Sequence, residues 1–417
     1  MAEVPVIQIL EKEKFFTQHI VPLPHAVPYP PLTAPSSLRL RTKVMCLTTN
    51  NVSYARLGFL FGWWDVHPLP PSTPAQYNDP AKYGRTNCWG FAEVLESTVA
   101  SVPKGTYLWG YLPLGTLAQD VTVEEGAIPG QVFVTNDYRK GVMAIYNRYF
   151  VHPASLKDEI EKKADSLAYD AIVRVMFETS YLLNRYVFAS DPKETVYPGM
   201  DPKAQWSPAQ ADIAGATVIF LAPGSKAALA FAYELRNARG GAQVKKIVGA
   251  TSESSRNFVE GTEAYDDVIL TSESSASVLS KLQVGAKDKV VLVDFGGRAG
   301  VGAKWAAEFK RTHNNFLMLG VGSEISESSQ EDALKALTAK GSSAIGINAN
   351  DMRIRAMEKV GEKKYFDDLA AAWDSFKKVG IKGLKITWGD NMEDVKKGWD
   401  KLCRGEATPE EGLVYRL

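Results

Sequence analysis

The sequence predicts an α/β protein in which a doubly wound parallel sheet is joined to a small β-barrel. Three observations carry this expectation. A strand–turn–helix–strand unit runs from Gly215 to Arg256. Further short β-rich runs follow it, alternating with helical stretches and ending in glycine. Before it lie short strands broken by Gly and Pro at the spacing of a barrel.

In the first unit, Ala216–Leu221 is an apolar, β-rich run framed by Gly215 and the Pro223-Gly224 pair. From Ser225 the pattern becomes helical, with Leu229, Phe231, Tyr233 and Leu235 among alanines, and it stops at Gly240-Gly241. Val244–Val248 is the second strand, closing at Gly249. The crossover of such a unit is right-handed. Ligands of a doubly wound sheet bind at the carboxyl ends of its strands, here the Ala222–Lys226 turn and the Ala250–Arg256 loop.

The turn lacks the usual G-x-G-x-x-G of dinucleotide sites; it reads A-P-G-S-K-A-A and keeps only Gly224. A helix N-terminus still offers free N–H groups and partial positive charge to a pyrophosphate. Ser225 is a candidate N-cap or phosphate donor, and Lys226 adds a cation where the dipole disfavours one unless an anion lies opposite. A solvent-facing lysine is the alternative. The second strand ends in Gly249-Ala250-Thr251-Ser252, with no acid until Glu253 and with Arg256 close behind. NAD sites carry an acid here for the ribose 2′-hydroxyl. The hydroxyls of Thr251 and Ser252 and the Arg256 guanidinium instead suit a 2′-phosphate. The expected dinucleotide is therefore NADP(H), a plain surface arginine being the alternative.

Later strands fall at Asp267–Thr271, at Lys289–Asp294 before Phe295-Gly296-Gly297, and at Asn315–Leu319 before Gly320, with a helix at Trp305–Arg311. Phe295, Gly296 and Gly320 thereby join the candidate cofactor contacts. Towards the N-terminus, residues 1–40 are Pro-rich and read as an extended arm. Leu38–Thr48 is a strand, and a short helix capped by an Asn of the Asn50-Asn51 pair runs to Leu57. Strands follow at Trp89–Ser97, Tyr107–Leu117 and Ala118–Val123. Trp63, Trp64, Trp109 and Tyr111 are candidate walls of a pocket for a hydrophobic small molecule; core filling is their alternative. Helical spacing from Pro153 has a break at Thr179-Ser180. The chain closes with helices at Phe366–Lys378 and Met392–Cys403 and a strand at Gly412–Leu417.

Lys and Arg total 48, as do Asp and Glu, so neither nucleic acid nor an anionic membrane is an expected partner. No apolar run reaches the ~18 residues of a membrane span, and the early acids of MAEVPVIQILEKEKFF are unlike a secretory signal. Cys46, Cys88 and Cys403 form no disulfide framework, and a reducing, cytoplasmic location is expected.

Several segments together resemble the medium-chain dehydrogenase/reductase superfamily, within a divergent fungal and bacterial branch of unassigned function. They are LTTNNVSYARLG, WGFAEVLES, GTYLWGYLPLGTLAQD, FETSYLLNRY, the APGSK turn, VDFGG and the tail from NMEDVKKGW to the end, in the family's order. The resemblance implies a partly open, GroES-like barrel in residues 1–165, a Rossmann-type domain in 166–340 and a return to the barrel domain in 341–417. It also implies a homodimer. The family's zinc branch needs a Cys near Asn50–Tyr54 and a His-Glu pair near Asn87-Cys88; neither is present, which implies zinc-free chemistry like that of quinone and enoyl reductases. In those relatives an Asn at the Asn50-Asn51 position contacts the nicotinamide side of the cleft, which nominates Asn51. Their proton-donating tyrosine after the next helix is replaced by Gly62-Trp63-Trp64. Tyr54, one turn from Asn51, is the substitute acid, with Asp65 and His67 further candidates by proximity in sequence. The expectation is a zinc-independent NADP(H)-dependent reductase of an activated C=C or C=O. With two fingerprint glycines missing, the rival is the same fold without redox work, catalysing a cofactor-free isomerisation, cyclisation or lyase step or only binding a ligand.

Overall fold

A computed structural model describes residues 3–335 and 344–417 of the chain. In the N-terminal part the strands are β1 (Val6–Glu11), β2 (Gln18–Pro22), β3 (Ser37–Leu47), β4 (Tyr83–Gly84), β5 (Asn87–Ser97), β6 (Tyr107–Pro113), β7 (Gln119–Glu125), β8 (Gln131–Val134) and β9 (Arg148–His152). The Pro-rich start is not an extended arm. β1 and β2 form an antiparallel hairpin, and β1 also pairs with β4. Val6–Glu11 contains no proline, so its donors are free to pair.

The barrel is a closed ring, β3-β5-β6-β9-β8-β7, because β7 pairs back onto β3. This corrects the expectation of a partly open barrel, and the length of β3 explains it. One edge of β3 pairs with β5, while the other is shared, Ser37–Leu40 bonding β7 and Val44–Leu47 bonding the C-terminal strand. The period of two along each strand separates two cores. Met45, Cys88, Ala92, Leu108 and Leu112 face the barrel interior. Cys46, Trp89, Phe91, Trp109 and Tyr111 face outward into a second apolar core.

The second sheet contains β10 (Thr217–Leu221), β11 (Lys246–Thr251), β12 (Asp267–Leu270), β13 (Val290–Asp294), β14 (Phe316–Gly320) and β15 (Ile345–Gly346). Its order is β12-β11-β10-β13-β14-β15 and every pair is parallel. The strand order reverses between β10 and β13, which makes their carboxyl ends the switch point. Both faces of the central strands are buried, as a parallel sheet requires. After this sheet come β16 (Lys385–Gly389) and β17 (Glu411–Arg416), and β17 lies antiparallel to β3. The expected start of the C-terminal return, at residue 341, lies outside the described residues.

Helices Asp165–Ile172 and Arg174–Leu182 connect the two sheets. Their break is at Val173 and not at Thr179-Ser180: Ser180 stays helical and its hydroxyl donates to the Met176 and Ala227 carbonyls. Phe177, Leu182, Val218, Phe220, Trp89 and Tyr111 belong to one apolar cluster, so the outer wall of the barrel and one face of the parallel sheet share a core. No helix of the described residues is long and apolar enough to cross a membrane.

Candidate functional site

Helix Thr49–Arg56 starts from Thr48, whose hydroxyl accepts from the Asn50 amide, so the cap is a threonine and not an asparagine. Asn51, at the third helical position, closes the capping box by accepting from the Thr48 amide at 2.6 Å. Its side-chain nitrogen donates to the Asn87 carbonyl at 2.7 Å, and the residue is buried. Both ends of the Asn51 side chain are thus spent on holding the helix to β5, which corrects its assignment as a free contact to a ligand. Tyr54 follows one turn later, and its hydroxyl accepts from Trp89 Nε1 at 3.0 Å.

Around Tyr54 lie Trp63 at 4.9 Å, Tyr111 at 5.0 Å and Tyr146 at 5.9 Å between ring centroids, all edge-on. Trp89 stacks on Trp109 at 4.8 Å. Burial pushes the Tyr54, Tyr111 and Tyr146 hydroxyls above the usual phenol value, so each remains a protonated donor at neutral pH. Three of the four pocket candidates, Trp63, Trp109 and Tyr111, therefore meet in one aromatic cluster. Trp64 does not; it belongs to the other core. Its ring fills the barrel-side core against Gly58 and Gly84, with Lys12 Nζ 5.7 Å from it.

Asp65 is exposed and Lys12 feels its charge, so it stands outside this cluster. His67 is buried but turned away from Tyr54, with Nδ1 3.1 Å from Gln119 Oε1 and Nε2 3.3 Å from Arg139 Nη2. Burial, then Arg139 and Arg85, hold its pKa well below the ordinary imidazole value, so it is neutral. Tyr146, Trp89 and Asn87 escaped the sequence reading as site residues. Tyr146 sits in a single 3-10 turn with no periodicity to flag it.

At the switch point, Ser225 caps helix Lys226–Asn237 by accepting from the Ala228 amide at 3.2 Å. Lys226 does not face the turn. Its ammonium donates to the carbonyls of Pro409 at 3.0 Å and Glu411 at 2.6 Å, and burial lowers its pKa to about 8. This corrects the reading of Lys226 as a phosphate ligand; the C-terminal segment has claimed its charge. A Cβ at Gly224 would lie 2.9 Å from Pro409 Cβ and 3.5 Å from Phe258 Cδ1, so the flat face of that glycine is covered by protein.

The neighbouring corner is more open. Ser252 precedes helix Glu253–Gly261 without capping it, and its hydroxyl lies 3.0 Å from that of Ser254. Arg256 is half-buried and pairs with Glu260 at 2.8 Å. Thr251 is buried, its carbonyl bonded by the Thr271 amide. Phe295 is buried and stacks flat on Phe220 at 5.5 Å, and the Gly296 amide donates to Asp294 Oδ1 at 2.9 Å. At Gly320 a Cβ would meet, among the described residues, only Ala344, at 4.0 Å.

The segments after β10 and β14 touch the barrel part. Lys226 reaches Glu411, and Arg56, on the helix of Tyr54, donates to the Glu324 carbonyl at 3.2 Å. A surface pocket of ≈ 420 Å³ lined by Ala211, Asp212 and Arg239 is at the opposite, amino end of β10. Ligands of this sheet type bind at the carboxyl ends, so that depression is not the candidate site. Among the described residues no group of three or more His, Cys, Asp or Glu is placed to hold a metal ion.

A family model described as "Protein of unknown function (DUF2855)" matches residues 45–408. No curated protein matches the chain. Among solved structures, the CurF ER cyclopropanase from the curacin A biosynthetic pathway is 14% identical over 99% of both chains, with a TM-score of 0.56. The CurK enoyl reductase is 14% identical over 99% of both chains at a TM-score of 0.52. CurA from Vibrio vulnificus in complex with NADPH is 11% identical over 99% of this chain and 98% of that one, also at 0.52. Likeness at this level shows the fold, that of the medium-chain dehydrogenases/reductases.

Proposed function

The chain belongs to the DUF2855 family, described as proteins of unknown function, and we propose that it is a zinc-independent, NADP(H)-dependent reductase acting on an activated C=C or C=O of a hydrophobic small molecule. One observation carries this reading: the loop after β14, beside the switch point of a fully parallel sheet, meets the barrel helix that bears Tyr54 and its aromatic cluster through the Arg56–Glu324 contact. The free amides at the start of helix Lys226–Asn237, with Ser225, would hold the pyrophosphate. Thr251, Ser252 and Arg256 would hold the 2′-phosphate corner, and Gly296 and Gly320 the nicotinamide half. NADPH supplies the hydride when bound. Tyr54 has its acceptor side occupied by Trp89 Nε1. Its own proton is the one to hydrogen-bond an enolate oxygen as charge develops. Trp63, Trp109 and Tyr111 would exclude water from that bond. A cytoplasmic homodimer belongs to the same proposal.

A second reading is favoured by a specific contact. Pro409 covers Gly224 and the Lys226 ammonium is held by the Pro409 and Glu411 carbonyls. A turn closed in this way supports a fold that has given up the dinucleotide and works as a cofactor-free isomerase, cyclase or lyase, or only binds a ligand. The test is the fate of label. Turnover of an α,β-unsaturated ketone with NADPH deuterated at the transferable position is expected to place deuterium on the product carbon. Conversion without that deuterium selects the second reading.

A further inference from the structure

Most buried arginines of this fold have a counter-charge or a full set of acceptors. Arg353 is clamped by Glu178, Arg148 meets Glu362 at 2.6 Å, and Arg39 is held by Asp120 at 2.7 Å and Glu96 at 2.8 Å. Arg239 donates to the Ala242 and Phe188 carbonyls and to Asn184 Oδ1. Two arginines depart from this pattern. Arg85 is 3% exposed and Arg139 1%.

Among the described residues, Arg85 Nε and Nη2 have no hydrogen-bond partner, and neither does Arg139 Nε. The remaining Arg139 nitrogens meet only neutral groups: the Tyr146 carbonyl at 3.4 Å, the Tyr111 carbonyl at 3.5 Å, the Tyr149 hydroxyl at 3.2 Å and His67. Residues 1–2 and 336–343 contain no Asp or Glu that could supply the missing charge.

The two cations lie in one neighbourhood. Each acts on His67 and each acts on Tyr138. Gln119 Oε1 can only accept, so the His67 proton is on Nδ1 and a lone pair on Nε2 faces Arg139. His67 therefore adds no charge of either sign. Thr86 Oγ1, adjacent in sequence to Arg85, is a further buried hydroxyl without a partner. Burying one unpaired guanidinium is strongly unfavourable. Two in one neighbourhood, both with unused N–H groups, would be compensated together by an anion in reach of both.

We propose that Arg85 and Arg139 enclose a compact, singly charged anion, a halide ion or a carboxylate group, beside His67 at the start of β5. Arg139 also holds backbone carbonyls of Tyr111 and Tyr146, two members of the aromatic cluster, so the anion sits directly behind that cluster. This inference is independent of whether the protein binds a dinucleotide.

The test is thermal unfolding of the full chain at constant ionic strength, with sodium bromide or sodium acetate replacing the bulky sodium gluconate. Saturable stabilisation by either anion is expected, because a ligand of the folded state raises its stability with concentration. In Arg85→Gln the response is expected to vanish. A wild-type midpoint that follows neither anion, or an equal response in the variant, overturns the proposal. If the variant does not fold, crystals of the wild type soaked in bromide decide. Anomalous scattering within hydrogen-bond reach of both arginines supports the site, and its absence overturns it. Displacement of that bromide by acetate assigns the site to a carboxylate-bearing ligand, and retention assigns it to a resident inorganic anion.

Discussion

Replacing Glu234 with glutamine probes the helix that opens at the candidate turn. Glu234 is 2% exposed, and Asn184 donates to its Oε2 at 3.5 Å. Burial raises the carboxyl pKa from 4.5 to about 7, and the weak Asn184 bond opposes it only in part. The folded state therefore binds this proton more tightly than the unfolded chain. The stability it contributes is fully present below the unfolded value and is lost as pH rises through the folded one. Each pH unit in that window removes about 1.4 kcal/mol, so the wild type loses about 3 kcal/mol between 4.5 and about 7 through this group. Glutamine keeps the shape and the Asn184 contact without the charge. Urea unfolding of both proteins at intervals from pH 4.5 to 8 is expected to show equal stability in acid. The variant is expected to gain about 3 kcal/mol over the wild type by pH 8. Parallel curves, or a variant weaker at pH 8, would refute the reasoning.

Further outcomes follow from the same contacts. Glu178→Gln leaves Arg353 buried without its counter-ion and is expected to lower unfolding free energy by about 3–5 kcal/mol in denaturant titrations. Tyr54→Phe removes the acceptor of Trp89 Nε1. It is expected to lower kcat with dinucleotide affinity unchanged, at a stability cost of about 1–3 kcal/mol. Lys226→Met strips the donor from the Pro409 and Glu411 carbonyls. Faster limited proteolysis of the segment before β17 is expected, with little change in NADPH affinity.

What the sequence disclosed was set by local periodicity. The parallel strands were readable because both faces are buried and each run ends at a turn. Helix Met392–Cys403 was legible to the residue because its apolar stripe repeats at helical spacing. The β1–β2–β4 sheet was hidden because β4 contributes only two residues and lies far along the chain. Side-chain direction was the larger loss. Lys226 reads as phosphate-facing from its helical position, and only the distant Pro409–Glu411 segment turns it away. Asn51 reads as a ligand contact until Asn87 and Thr48 are seen to use both ends of its amide. Arg85 and Arg139 carry no sequence signal at all. Their meaning lies in the acids that are not beside them, which only three-dimensional packing reveals.

The central claim is that the Ser225 turn and the Ser252–Arg256 corner hold NADP(H), and paired titrations of wild type and Arg256→Ala with NADPH and NADH at one ionic strength test it most directly. Arg256 is half-buried, and its partly solvated ion pair with Glu260 is of the weak kind that a phosphate can replace. The wild type is expected to prefer NADPH. The substitution is expected to weaken NADPH about ten-fold, to leave NADH unchanged and so to remove the preference. Equal loss for both cofactors would contradict the assignment of Arg256, and a wild type that binds neither would contradict the redox account as a whole.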